Sequence, residues 1–212
     1  MARTTYDSER QRQRRSTILA TTRELLGKVG YDGTTIRGVA EAAGVDKATI
    51  YNHFESKDGL VLAALTGLLD QIEADVADDD FQSGFETLLA RNEASCDQIE
   101  RTPAYADAMS RALFRAGQDG ALIDALVRRP VKSTRSLLEV EKQRGSLLDS
   151  IDCEALARRL ESQRWGAILL WVLSVLPIAE LRVTIRESLI ATLASVATPR
   201  AKRVLGRLRD PS

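Results

Sequence analysis

Between Gly44 and Leu60 the chain reads GVDKATIYNHFESKDGL. Lys47, Thr49, Tyr51, Asn52 and His53 place an ammonium, a hydroxyl, a phenol, an amide and an imidazole within one short stretch. Those groups could do one of three kinds of chemistry: metal binding, acid–base catalysis or recognition. His53 is the sole histidine, and the two cysteines, Cys96 and Cys153, lie far apart without a CxxC pattern, so no metal site is expected. A GxSxG elbow, a Walker loop, HExxH and the Rossmann glycines are all missing, and one histidine leaves few acid–base options, so no catalytic residue is expected. Recognition remains.

The elements that would position these groups can be read from local chemistry. Asp46 is a good N-cap, because its carboxylate can accept from the free amides of a first turn. Val45 and Ile50 have the spacing of a hydrophobic staple across that cap. At about 100° per residue, Ile50 and Phe54 fall on one side as buried anchors. Ala48, Thr49 and Asn52 lie roughly opposite, with Tyr51 and His53 on the flanks. The exposed face is therefore small at its front and rich in hydrogen-bond donors. Upstream, a helix is predicted over about Glu9 to Lys28, with Ile18, Leu25, Leu26 and Val29 on one face and Gly30 as its stop. Thr34 or Thr35 caps the next helix, in which Ile36, Val39, Ala40 and Ala43 repeat at i, i+3, i+4, i+7 before Gly44 ends it. Two short helices joined by a glycine-containing turn are a helix-turn-helix signature.

The 212 residues suffice for a real core, and leucine, alanine and arginine dominate over aromatics, which suits an all-α protein. Net charge is zero but uneven: residues 1–60 carry +2, 61–127 carry −9 and 128–212 carry +7. The acidic middle is a poor surface for a polyanion. Arg3, Arg10, Arg12, Arg14 and Arg15 form a basic arm over residues 1–15, open to two readings, a solvated terminus or a groove contact. The cysteines read as reduced core thiols of a cytoplasmic protein, and the N-terminus has no apolar signal-peptide core. The run WGAILLWVLSVLPIA, Trp165 to Ala179, is shorter than the roughly 20 residues a bilayer span needs and contains Pro177, so a buried or interface helix is expected and no membrane association. Further helices are predicted over about 57–76, capped by Ser56, and near 81–101, 103–116, 119–144, 153–176 and 178–197. Leu60, Leu65, Leu68, Leu69 and Ile72 form the apolar stripe of the first of these. Thr102-Pro103 supplies a cap with proline at N1, and Ile151, Asp152 and Leu156 repeat the staple and cap. The basic segment 199–212 reads as a solvated tail.

With these pieces in order, the N-terminal sixty residues resemble the TetR family of transcriptional regulators. The resemblance is carried by TILATTRELLGKVGYDGTTIRGVAEAAGV followed by DKATIYNHFESKDGLVLAAL and covers about residues 13–65. Gly27 departs from the pattern, since the family often has a larger residue there, and would soften the first helix. The resemblance implies a helix-turn-helix DNA-binding domain over 16–58 and a helical effector-binding and dimerisation domain over 59–198. It implies a homodimer on a palindromic operator in double-stranded DNA, usually as a repressor released by a small-molecule effector. Ala48 is small enough for a groove floor, Asn52 can pair with an adenine edge, and Lys47 can reach guanine acceptors, although the last two could also meet phosphate. Thr49, Tyr51 and His53 look like backbone contacts; His53 also suits a plain surface or packing role. Lys57 starts the fourth helix, where phosphate is favoured. Thr35 resembles the family's phosphate contact and equally suits a plain cap; Arg37 can reach a base or sugar.

For the remaining two-thirds, Tyr105, Met109, Leu113, Phe114, Trp165 and Trp171 are candidate lining residues for a largely apolar effector, and each also fits plain core. Arg111 and Arg115 could hold an acidic group but fit surface charge better. No cofactor is expected. The last two long helices resemble the family's dimerisation pair, with Leu169, Leu170 and Leu173 facing Ile185, Leu189 and Leu193, and Val183 and Ile190 beside them. The helix over 57–76 joins both domains and is the natural lever. Two other classes compete: an enzyme, which lacks its motifs, and a protein-interaction module, which needs no polar reading face.

Overall fold

The computed structural model describes the backbone of residues 2–77, 81–105, 107, 108, 110 and 123–209. Among them the regular structure is helical, with one isolated bridge, Leu147 to Ala197. The chain divides into two compact units, Met1–Asp70 with Thr102–Gln118, and Gln71–Arg101 with Asp119–Ser212.

The first unit opens with α1 (Ala2–Gly33), which breaks where glycine was expected to stop it: Gly30 sits at φ 68°. Val29, predicted on the apolar face, is instead 53% exposed. It lies at the end of the regular turn and packs over Gly33, where a Cβ would come within 2.8 Å of its own. Thr35 caps α2 (Ile36–Ala43) by accepting from the Gly38 amide at 3.0 Å, and Gly44 closes it in the left-handed conformation. Asp46 caps α3 (Lys47–Phe54), accepting from the Thr49 amide at 2.6 Å. Ser56 caps α4 (Lys57–Ala77) through the Gly59 amide at 3.0 Å. Between α3 and α4 the chain turns through Glu55 at φ 60°, and a Cβ on Gly59 would stand 2.3 Å from the Phe54 carbonyl oxygen. Ile18, Val39, Ile50, Phe54 and Leu60 form one core cluster, and Leu26, Tyr31, Val61, Leu65 and Ala108 a second. The side chains of Leu68, Leu69 and Ile72 lie outside the described residues.

The second unit packs α5 (Gly84–Arg101), α6 (Arg129–Gln143), α7 (Cys153–Val172), α8 (Ile178–Val196) and α9 (Pro199–Arg209) around Phe85, Leu88, Leu138, Leu156 and Leu193. Asp152 caps α7 through the Glu154 and Ala155 amides, and Leu156 is buried one turn on, beside Ile151, as the staple requires. The helix over 119–144 is not uniform. Residues 124–128 form a π-turn leading into α6, and Pro130 explains it. Proline has no N–H, so the Leu126 carbonyl, which residue 130 would normally engage, is orphaned and the turn widens. The Trp165 indole of α7 donates to that carbonyl at 3.2 Å.

The segment expected as a solvated tail folds as α9. Ala201, Val204, Leu205 and Leu208 recur at i, i+3, i+4, i+7 beneath the arginines. Ala201 and Leu205 are buried in the core, and the carbonyl of Leu208 receives the Arg186 guanidinium. A high count of basic residues masked a narrow apolar stripe.

Candidate nucleic-acid interface

The face predicted on α3 exists. Ile50 is fully buried and Phe54 nearly so, which turns Lys47, Ala48, Tyr51 and Asn52 to solvent, with Tyr51 51% exposed. Among the described residues, no hydrogen bond or ion pair within the chain engages the side chains of Lys47, Tyr51 or Asn52. Thr49 and His53 are half-buried; Thr49 serves the Asp46 cap, and His53 is tilted against Phe54 with ring centroids 5.8 Å apart. The amide and hydroxyl of Thr49 hold the Asp46 carboxyl below its ordinary range, so the cap stays ionised at neutral pH.

Around this helix the other candidates take separate places. Thr35 is exposed at the N-terminus of α2, its hydroxyl on the Gly38 amide. Arg37, the second residue of α2, is exposed and pairs with Glu41 at 2.7 Å; an exposed i, i+4 pair of this kind is readily exchanged for a phosphate. Lys57 at the start of α4 lies with Nζ 4.2 Å from the centre of the Tyr31 ring, and the Tyr31 phenol donates to Asp58. Two arginines of the basic arm also belong here. Arg15 stacks its guanidinium 5.3 Å from the Phe54 ring, and the charge of Arg14 reaches Asp46. Their side of α1 was legible only as net charge, because the contact depends on how α1 crosses α3.

Of the candidates for an effector site, three fall among the described residues. Trp165 is committed to Leu126, with Arg164 stacked 5.7 Å from its ring. Tyr105 is half-buried in the first unit and donates to the Arg23 carbonyl at 3.0 Å. Trp171 is half-buried on α7. Met109, Leu113 and Phe114, with Arg111 and Arg115, lie outside the described residues. A cavity of about 20 Å³ lies among Leu88, Thr134, Leu160, Glu161, Ile185 and Leu189, room for about one water.

Beside it sits a polar cluster that apolar periodicity could not reveal. Glu161 is buried, accepting from Thr134 at 2.7 Å and from Arg164 at 2.7 and 3.0 Å. Burial pushes its carboxyl up, but the Arg164 charge, the bonds from Thr134 and Arg164, and the Arg91 charge together leave it below the ordinary value. Its sequence signal was the i, i+3 spacing of Glu161 and Arg164.

Of the six dimer candidates, Ile185, Leu189 and Leu193 point into this chain's own core, because with Leu181 they form the single α8 face turned to α5 and α7. Leu169 is half-buried. Leu170 and Leu173 are exposed, and Val175, Ile178 and Val183 join them; Leu173 is 61% and Val175 68% open. Among the described residues, no helix is long and apolar enough to cross a membrane, and no three His, Cys, Asp or Glu side chains are grouped to hold a metal.

Comparison with known proteins adds an independent line. Residues 18–64, which span α2, α3 and part of α1 and α4, match the family described as bacterial regulatory proteins, tetR family. The chain is similar to the HTH-type transcriptional repressor KstR of Rhodococcus jostii, 30% identical over 60% of this chain and 64% of that one, so the match spans just under two-thirds of that relative. KstR2 of the same organism is 26% identical over 76% of this chain and 81% of its own length. Among solved structures, TylP, a TetR regulator from Streptomyces fradiae, superposes with a TM-score of 0.67 at 25% identity, covering 92% of this chain and 90% of that one.

Proposed function

We propose, from the premise that this chain belongs to the TetR family of bacterial regulatory proteins, that it is a repressor which binds a palindromic operator as a homodimer and leaves it when a small-molecule effector binds. Members of that family are DNA-binding regulators, not enzymes. The observation that carries the proposal is the outward face of α3, where Lys47, Tyr51 and Asn52 stand around the small Ala48 without a hydrogen-bond or ion-pair partner among the described residues. A side chain left unbonded in a folded protein is free to bond elsewhere, and these types match the edges and phosphates of a major groove.

In this reading Asn52 and Lys47 meet base edges at the groove floor, with Ala48 allowing close approach. Thr49, Tyr51 and His53 meet the phosphate backbone on the flanks. Thr35 and Lys57 place phosphates at the N-termini of α2 and α4, where free amides and helix dipoles favour anions. Arg37 exchanges Glu41 for a base or sugar contact. Arg14 and Arg15 extend the positive field along α1. The DNA-reading role belongs to the first unit and the assembly role to the second, in the cytoplasm.

The exposed Leu170, Leu173, Val175, Ile178 and Val183 support dimerisation, since a monomer rarely leaves such a cluster in water. A twofold interface uses one patch twice and presents two α3 helices to half-sites about 34–36 Å apart. A largely apolar effector acts only through its difference in affinity between two arrangements of the dimer, and α4 is the element that carries the difference to the reading helices.

The test is selection of bound duplexes from a random pool, followed by a salt titration of the selected sequence. Phosphate contacts give log K against log salt a slope of about −0.9 per contact, and a symmetric selected site is expected. A strictly monomeric protein that ignores all duplexes in dilute buffer would end this reading.

A further inference from the structure

We infer that Thr102 and Tyr105, seated against Gly27 of α1, are positioning residues for DNA recognition, holding α1 and α4 in the arrangement that presents the reading face. The inference rests on the DNA-binding reading above. It concerns residues of the first unit alone.

The seat is built from two glycines and one arginine. A Cβ on Gly27 would lie 3.3 Å from the Thr102 methyl and 4.0 Å from the Tyr105 ring, so glycine gives the segment a few tenths of an ångström more room than a larger residue would. Within α1, the carbonyl that the Gly27 amide would engage is that of Arg23. Tyr105 donates its phenol to the same carbonyl at 3.0 Å. The Arg23 guanidinium in turn donates to the Ala64 carbonyl of α4 at 3.2 Å. Gly67, less than a turn further along α4, gives that guanidinium room: a Cβ there would stand 3.4 Å from it. One residue thus ties three segments, its backbone to Tyr105 and its side chain to α4. Ala108 completes the seat, fully buried among Leu26, Tyr31, Val61 and Leu65. Burial raises the Tyr105 phenol, which keeps it protonated as a donor at neutral pH.

Gly27, expected to soften α1, also serves as a notch. Glycine inside a helix is unfavourable, and close approach of another backbone or side chain is what it permits in return. Because α4 begins at Lys57 and its first turns pack with α1 against α3, a filled seat pre-organises the helices that must meet DNA together. Pre-organised partners lose less freedom on binding, which raises affinity. A ligand that favours the empty seat would lower it by the same coupling.

The experiment locks the seat in the full chain with Gly27→Cys and Thr102→Cys; the native Cys96 and Cys153 are buried and stay in place. The two introduced side chains lie within the reach of a disulfide. Affinity for the selected duplex is compared between the oxidised and reduced forms of the same double variant, which removes the effect of the substitutions themselves. The oxidised form is expected to bind roughly fivefold or more tightly, and by reciprocity the duplex should favour disulfide formation in a glutathione buffer by the same factor. A purely structural seat would leave both quantities unchanged. Tyr105→Phe, which keeps the ring, should weaken binding in the opposite direction. Equal affinity of the two forms, or failure of the disulfide to form, overturns the inference while leaving the DNA-binding reading intact. If neither form binds any duplex at low salt, the DNA-binding reading fails and this inference with it.

Discussion

The two units deploy their polar side chains in opposite ways. In the second unit arginines are committed to carboxylates of the same chain. Arg182 meets Glu93 and Asp97 at 2.6 Å and Glu100 at 2.9 Å, Arg186 meets Glu93 at 2.8 Å, and Arg164 meets the buried Glu161 at 2.7 Å. The Arg182 and Arg186 bonds tie α5 to α8, and Glu161, held by Arg164 within α7, also accepts from Thr134 of α6, so their energy goes into the fold. On α3, Lys47, Tyr51 and Asn52 find no hydrogen-bond or ion-pair partner among the described residues, which leaves them open to the contact with DNA proposed above. The apolar surface shows the reverse: the first unit's α3 hides Ile50 and Phe54, while the second leaves Leu173 and Val175 in water. Each unit is incomplete on one kind of surface, which is what a protein with two different partners requires.

Substitutions can break or sharpen that contrast. The largest effect is expected from Leu173→Asp, which should leave the isolated chain folded but abolish assembly. Loss of two-headed binding should cost operator affinity about 100-fold or more, checked by sedimentation beside a binding isotherm. Next comes Arg164→Ala, which strands the Glu161 carboxylate and should lower unfolding stability by about 3 kcal/mol in urea titrations.

The same pair sets a pH dependence. Glu161 is held below the ordinary carboxyl value in the fold, so its contribution is complete above the unfolded value. It fades as pH falls through the lower folded one. Wild-type urea midpoints should therefore hold at mildly acidic pH and drop in stronger acid. Arg164→Ala, with the restraining charge gone, should begin to lose this carboxylate's contribution at a higher pH.

Asn52→Ala should behave in the opposite manner to Arg164→Ala. It should relax preference at one base pair by about 1–3 kcal/mol and leave the melting temperature unchanged. Lys57→Ala should weaken all duplexes alike and reduce the salt slope by about one contact. The smallest effect is expected from Arg37→Ala, whose ion pair is fully exposed: no measurable change in melting, and a slight loss of affinity in the same titration. A reading helix whose variants lost stability as readily as α7 does would erase the contrast between the units.

The reading head was legible because its signals are local. Asp46, Thr35, Ser56 and Gly44 act on backbone groups within one turn, and Ile50 and Phe54 follow from helical period alone. The second unit hid what depends on pairing between distant segments. Pro130 lies inside a helix predicted straight through 119–144, and the indole that satisfies Leu126 comes from 39 residues away. The sequence offered Ile185, Leu189 and Leu193 as interface residues, and packing against α5 and α7 turns them into this chain's own core. Tyr105 carried the ring of a lining residue, while its hydroxyl had a specific acceptor on α1 that sequence spacing does not disclose.

The corner between α3 and α4 has a consequence for how the head can respond. Glu55 holds a positive φ, the Ser56 amide meets the Phe54 carbonyl at 2.6 Å, and Gly59 exists where any Cβ would collide with that carbonyl. Such a corner contains no spare backbone to absorb a twist. A swivel of α4 about its axis would therefore carry α3 with it, so the regulator proposed above would aim its reading helix rather than loosen it.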